Sequence, residues 1–403
     1  MKKIHFILIL NSIILFSCKT NKETEMAITS SYTINLDSVS SGTFKFSDIY
    51  STVKAIIPDN QKVLLNEITK LLIFQERLFI LDTKANALYS FDLNGSFINQ
   101  IGSLGPGPEE YATCTDFTID TDKKEILILD SMLKKIFKYN PINGKFIGSF
   151  HFDNRCNIDK INYYKKHLYG TKASFTSLSA PDTAMVYQLD VTSGNLKNTW
   201  LNNQKHNKGW QGEYSRHNLF YPTTDKCLFT MGFMNTIMQI TSNELTPYIT
   251  LESKNLVTEN DINPMKELES YKVFHQMFQY NMRHKKIQNV CDIFEYKDFL
   301  FFSFQRFTKH QVCYNKTTKE TLIYSKEEND ILYHESPSSY TLPKFLLADE
   351  NGVYYSTPIE SINELHHFII KTNLGSDKFV NKEILKNLDQ DSNPVILFYE
   401  FKK

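Results

Sequence analysis

The stretch 202–219 holds the densest set of side chains suited to gripping a ligand: His206, Trp210, Tyr214, Arg216 and His217. A Trp beside Gly on a long loop can stack against a sugar or a peptide. An arginine there can grip a carboxylate with two parallel hydrogen bonds. The same Trp could equally plug a cap. A second group is Gly105-Pro-Gly-Pro-Glu-Glu-Tyr111, where Gly105 and Gly107 permit close backbone approach and Glu109, Glu110 and Tyr111 offer polar contacts. It has no strand–GxGxxG–helix setting and is not a nucleotide fingerprint. A rigid crossover whose prolines fix the path and whose Tyr packs inside is the alternative. Asp82 and Asp130 end two similar segments. Paired carboxylates could hold Ca²⁺ or act as acid and base. Their place before a turn, and their repetition, argue instead for a structural task.

Other chemistry is missing from the pattern. His366 and His367 are adjacent and diverge on a helix, and neither HExxH nor GxSxG occurs. No nucleophile is paired with a base, so catalytic residues stay unassigned and neither cofactor nor metal is expected.

Composition narrows the classes further. The 403 residues carry 45 Lys plus Arg against 45 Asp plus Glu, which excludes a broad basic surface and argues against nucleic-acid binding. Hydrophobic residues at 41% and charged ones at 22% exclude a mostly disordered chain. Aromatics at 13%, with only 14 Gly and 12 Pro, lean toward strands.

Residues 1–17 read as an export signal: basic Lys2 and Lys3, then a mostly apolar run from Ile4 to Phe16. As a helix that run spans about 20 Å, short of a hydrocarbon core of roughly 30 Å. Cys18 follows at the end of the run. The polar stretch from Lys19 to Ser31 reads as a tether. The domain reading is signal 1–17, anchor and flexible tether 18–43, and folded domain 44–403. Cys114, Cys156, Cys227, Cys291 and Cys313 show no CxxC and are odd in number, so they read as buried small hydrophobes, with one bridge left open.

A repeat organises the domain. Asp82 and Asp130, Leu88 and Ile136, Gly95 and Gly144, Phe97 and Phe146 recur 48 or 49 residues apart. Looser copies follow at Tyr187–Asp190, Leu228–Ile240, Phe299–Tyr314 and Phe345–Tyr355. Each unit holds short strands divided by turn signals, the clearest being Cys114–Ile119, Glu125–Asp130, Lys135–Tyr139 and Lys145–Phe150. Four antiparallel strands at this period are the signature of a propeller blade. The fold expected is all-β: a six-bladed β-propeller with two helical insertions on one face. The sixth unit lacks an outer strand. Val395–Phe401 as its third strand and Phe46–Ile57 as its fourth would close the ring by pairing the two ends of the chain.

Several segments resemble the six-bladed β-propeller lipoproteins of Bacteroidetes, a TolB-like or NHL-like ring. Gly95–Tyr111 is similar to their "GkFi…iG…GxGPgEY" stretch, with Glu109 in place of a Gly. Asn235-Thr236-Ile237 resembles their "DtIY" strand, and Asp391–Tyr399 their closing "dNPvlvly". Leu15-Phe16-Ser17-Cys18 resembles a lipobox, with Phe16 in place of a small residue. The resemblance implies diacylation of Cys18, cleavage after Ser17 and a lipid-anchored place in the cell envelope. The outer membrane is the expected site, on its periplasmic or its surface face.

Strand arithmetic puts the a–b and c–d turns on one face and the long b–c and d-to-a connections on the other. Two long connections read as helical: Glu259–Lys285, with Met265, Leu268, Tyr271, Phe274 and Phe278 inward, and Glu360–Lys371, with Ile362, Leu365 and Ile369 on one stripe. The functional expectation is a binding or scaffold propeller. It would take carbohydrate, peptide or an envelope protein at its long-loop face through Trp210, Tyr214, Arg216, His217, Glu110 and Tyr111. The alternative is a hydrolase or lyase with an acid–base site at the channel mouth.

Overall fold

In a computed structural model, the described residues are 30–173, 184–210, 218–265, 270–337, 343–388 and 391–403. Cys18, Tyr214, Arg216 and His217 lie outside them. Six sheets, each with four antiparallel strands, stand around a ring; in five of them these strands follow one another in the chain, and in the sixth the outer strand comes from the N-terminal part of the domain. The molecule is a six-bladed β-propeller.

The second blade shows why the sequence folds this way. Its inner strands Asp116–Asp120 and Glu125–Asp130 read DFTID and EILILD and are buried almost throughout, because blades pack against both of their sheet faces. Its outer strand Phe146–His151 alternates between half-buried and exposed, as period-2 patterning at a rim requires. Blades meet through interdigitated apolar clusters; one joins Phe79, Leu81 and Leu88 of the first to Phe117, Ile128 and Phe137 of the second.

The ring closes as the chain ends suggest. Val395–Phe401 pairs with Gly352–Thr357 on one side and with Tyr50–Ile56 on the other. The outer strand starts later than expected. Phe46–Asp48 is a turn of 3-10 helix, held where the Asp48 carboxylate accepts the Lys45 amide. The Phe46 ring packs on Tyr50 and Tyr399.

One expectation needs correction. The assigned tether is part of the sheet from Tyr32 onward. Tyr32–Asn35 adds a fifth, parallel strand to the outer edge of the fourth blade, opposite Ile249–Glu252. The chain then crosses the fifth blade through the Ser40–Ile323 hydrogen bonds, and Phe44–Lys45 pairs with Glu327–Glu328. This strap covers one sheet edge, and Ile34 and Leu36 are wholly buried under it. In the first three blades the glycine of the c–d turn docks on the end of the preceding outer strand. At Gly95 a β-carbon would collide with the Ile57 carbonyl, and at Gly194 with that of His151.

Both helical insertions occur in the long connections. Glu259–Ile262 and Ser270–His284 lie between the fourth and fifth blades. Met265, Val273 and Met277 are buried there while Phe278 is 40% exposed; Leu268 lies outside the described residues, and the side chains of Tyr271 and Phe274 outside those described. The second insertion spans Ile359–Lys371 and buries Ile362, Leu365 and Ile369, the stripe its spacing predicts.

Candidate functional site

The innermost strands run from the long connections to the a–b turns, so their last residues converge on the axis at the a–b face. All six blades contribute there to a funnel of about 800 Å³. Its wall carries Leu72 and Phe74, Ile119, Tyr163, Pro222, Phe294 and Tyr296, and Leu347 from successive blades, with Phe401 behind. These apolar side chains face the axis because inner strands alternate, and the Phe401 ring stacks on Tyr296 with centroids 4.3 Å apart.

Polar groups edge this bowl. Glu295 is saturated: it accepts the Tyr248 hydroxyl at 2.6 Å and lies 3.0 Å from Lys226 and 3.5 Å from Lys316. Asp225 pairs with Lys226 at 2.7 Å. Tyr164 donates to the Asp225 carbonyl and so ties the third and fourth a–b turns together. On the sixth blade, one oxygen of Asp349 accepts the Asn351 and Gly352 amides, and its neighbour Glu350 is exposed. Burial, with a smaller push from Glu350, raises the Asp349 pKa above the ordinary carboxylate value. Neither Asp349 nor Glu350 enters an ion pair among the described residues. Lys297 stands over the Tyr296 ring, 4.9 Å from its centroid.

Toward the opposite face the axis narrows onto a buried ion pair. Lys70 reaches both Asp116 oxygens at 3.0 and 3.1 Å and donates to the Phe117 and Ile161 carbonyls. Asp116 also accepts the Ile161 amide at 2.8 Å, so three blades share one charge cluster. Desolvation lowers the Lys70 pKa, and Asp116 opposes that shift.

Of the residues expected to bind, the described ones, Trp210, Glu110 and Tyr111, do not line this funnel. Trp210 is 2% exposed and packs edge-on against Phe233 beneath the long connections, so it plugs the cap. Its carbonyl accepts the Asn203 amide, and its own amide donates to Asn207. His206 faces the backbone of Asn202. Tyr111 is fully buried between the first two blades and has no surface for a ligand. Glu110 accepts the Gly107 amide at 2.9 Å and braces its own loop. It also lines an open rim groove of about 790 Å³ with Tyr139 and Lys145. Asp82 and Asp130 are buried acceptors for turn amides. The five described cysteines are buried and unbridged. Burial pushes the Cys227 thiol up to about 12 and Cys156 to about 11. Among the described residues no cluster of three His, Cys, Asp or Glu could hold a metal, and no helix is long and apolar enough to cross a membrane.

Residues 31–400 match a family described as a domain of unknown function, DUF4934, and the chain belongs to that family. The fold is similar to that of a "Putative exported protein" from Bacteroides fragilis, at 18% identity and a TM-score of 0.68, covering 92% of this chain and 99% of that one. Weaker likenesses reach a member of the DUF4221 family from Bacteroides vulgatus (12% identity, TM-score 0.48, covering 88% and 97%) and virginiamycin B lyase from Staphylococcus aureus (13%, 0.41, covering 76% and 82%). No curated protein matches the chain.

Proposed function

We propose that this DUF4934 member is a lipid-anchored binding propeller of the cell envelope whose ligand enters the axial funnel at the a–b face. One observation carries the reading: every blade supplies inner-strand side chains to a single concave, largely apolar cavity edged by a few polar groups. This moves the expected face from the long connections to the a–b turns. A short glycan, a peptide end or an exposed side chain of an envelope partner would suit a funnel this size. The anchor at Cys18 rests on the lipobox-like Leu15–Cys18, and the name of the Bacteroides fragilis neighbour agrees with export. Fatty-acid labelling that is equal in wild type and Cys18→Ala would remove the anchor from this account.

The binding reading is tested by a thermal-shift screen of oligosaccharides and peptides, followed by titration. Tyr296→Ala and Tyr163→Ala should weaken a hit by about 1–3 kcal/mol each, the usual worth of a stacked contact. Trp210→Ala should leave its affinity unchanged. A hit that loses affinity only with Trp210→Ala would return the site to the long-loop face.

A further inference from the structure

The funnel's charges are unevenly compensated, and the imbalance bears on what enters. Asp225 and Glu295 are neutralised by Lys226 and Lys316 behind the wall. Among the described residues Asp349 and Glu350, side by side on the sixth blade's a–b turn, enter no ion pair, and neither does Lys297, so two carboxylates stand against one ammonium in the lining. Backbone amides occupy one Asp349 oxygen only, and Asp349 is half-buried, so its field reaches into an apolar cavity where water screens it poorly. The same cavity presents the rings of Phe74, Phe294 and Tyr296. An aromatic face attracts a cation and gives nothing to an anion. Tyr296 holds the Lys297 ammonium in this way on one face and the Phe401 ring on the other, so it offers the cavity its edge, and Phe74 offers a face. The chain as a whole is uncharged, so the bias belongs to the funnel.

We propose that the funnel selects an organic ammonium ion with an apolar body, its cationic head beside Asp349 and Glu350 and its body against the Phe74 ring and the edge of Tyr296. The proposal rests on the funnel being the binding site and narrows the class of ligand it takes. A primary amine, a peptide amino terminus and a quaternary ammonium share this chemistry. The primary amines would add hydrogen bonds to Asp349, and the quaternary head would lean on the rings.

The test uses the full chain and a matched series on one fluorophore: dansyl-hexyl-trimethylammonium, dansyl-hexylamine, dansyl-hexanol and dansyl-hexanoate, titrated by fluorescence. Both cations should bind at least about tenfold more tightly than the alcohol, with the carboxylate weakest. The preference should shrink in Asp349→Asn/Glu350→Gln and in high salt, while the melting temperature stays near that of the wild type. If the alcohol binds as well as the cations and Tyr296→Ala weakens both, the funnel stands as the site and its cation preference is overturned. If no probe binds, or binding ignores Tyr296→Ala, both the preference and the funnel reading are overturned.

Discussion

Gly194 of the third blade sits against the carbonyl of His151, where the second blade's outer strand ends, and the Asp153 amide donates to the Gly194 carbonyl at 3.2 Å. Gly95 meets Ile57 in the same way two repeats earlier, across the seam where the ring closes. The glycine of a c–d turn is therefore also a contact between blades. Gly194 has φ +75°, and a β-carbon would come within 2.7 Å of the Phe150 ring as well as striking backbone. Gly194→Ala should cost on the order of 3 kcal/mol, combining left-handed strain with the collision. Gly148, in an outer strand with open space around it, is the control. Its replacement by Ala should be neutral or stabilise by about 0.5 kcal/mol. Urea unfolding of the two variants checks the contrast, and equal midpoints would contradict it.

Asp130 shows how a repeated acid can look catalytic in sequence and be structural. Its carboxylate accepts the Ala112, Thr113 and Leu133 amides and the Thr113 hydroxyl, so it binds the incoming crossover and its own turn together. Asp130→Ala strands these donors and should cost about 3–5 kcal/mol. Asp130→Asn keeps acceptor oxygens and should cost less. The order of the two melting temperatures decides the matter.

A pH effect follows from Asp190 at the third c–d turn. The Ser193 amide, joined by the Thr192 amide, the Ser193 hydroxyl and Lys197, outweighs burial and holds its carboxyl at about 2. The folded value lies below the unfolded one of about 3.9. The resulting stabilisation is thus complete above about pH 5 and disappears as pH falls through about 2. Asn140 and Asn315 accept the same pair of turn amides in the second and fifth blades without a charge. Asp190→Asn should therefore melt below wild type at pH 6 and with it at pH 2. A gap that persists at pH 2 would assign the difference to something other than this carboxylate.

The fold was legible because its landmarks are local and repeated. Asp82 and Asp130, or Gly95 and Gly144, each do the same job in their own blade, so spacing exposes them. Closure was legible because Asn393-Pro394 marks the start of a strand with no partner nearby. The strap was harder. Tyr32-Thr33-Ile34-Asn35-Leu36 does alternate, but four paired residues are a faint signal, and parallel addition to an edge leaves no turn between partners. The funnel was not visible at all. Phe74, Ile119, Tyr163, Tyr296 and Leu347 are one residue per blade, far apart in the chain, and adjacent only around the axis. Their shared position at the end of each innermost strand was the available clue. Trp210 stands out in sequence as a large aromatic in a long loop, yet it is buried against Phe233.

The strap and the closing strand should differ in what their loss does. Removing the chain through residue 36 uncovers one edge of the fourth blade and leaves every four-stranded blade intact. Unfolding should stay cooperative at a lower temperature. Deleting residues 394–403 takes out the strand between Gly352–Thr357 and Tyr50–Ile56 and breaks the ring. That protein should lose its sharp thermal transition. A cooperative melt of the C-terminal deletion at the wild-type temperature would refute the closure as drawn.

Lys70 and Asp116 form a buried pair between innermost strands, and their energetics are testable without a ligand. Asp116 is 1% exposed and accepts from Lys70 and from the Ile161 amide. Lys70 spends its remaining donor capacity on the Phe117 and Ile161 carbonyls. Taking two charges out of water costs about as much as their attraction returns, so the pair as a whole adds little stability. Removing one partner is another matter, because the survivor stays buried and uncompensated. Lys70→Met and Asp116→Asn should each cost about 3–5 kcal/mol. The double variant should recover much of that loss, since Asn can still accept the Ile161 amide and Met fills the space of the lysine stem. A double-mutant cycle by chemical denaturation reads the coupling directly. Additive single losses would mean that the two charges do not answer each other, and that backbone carbonyls alone hold Lys70 at the axis.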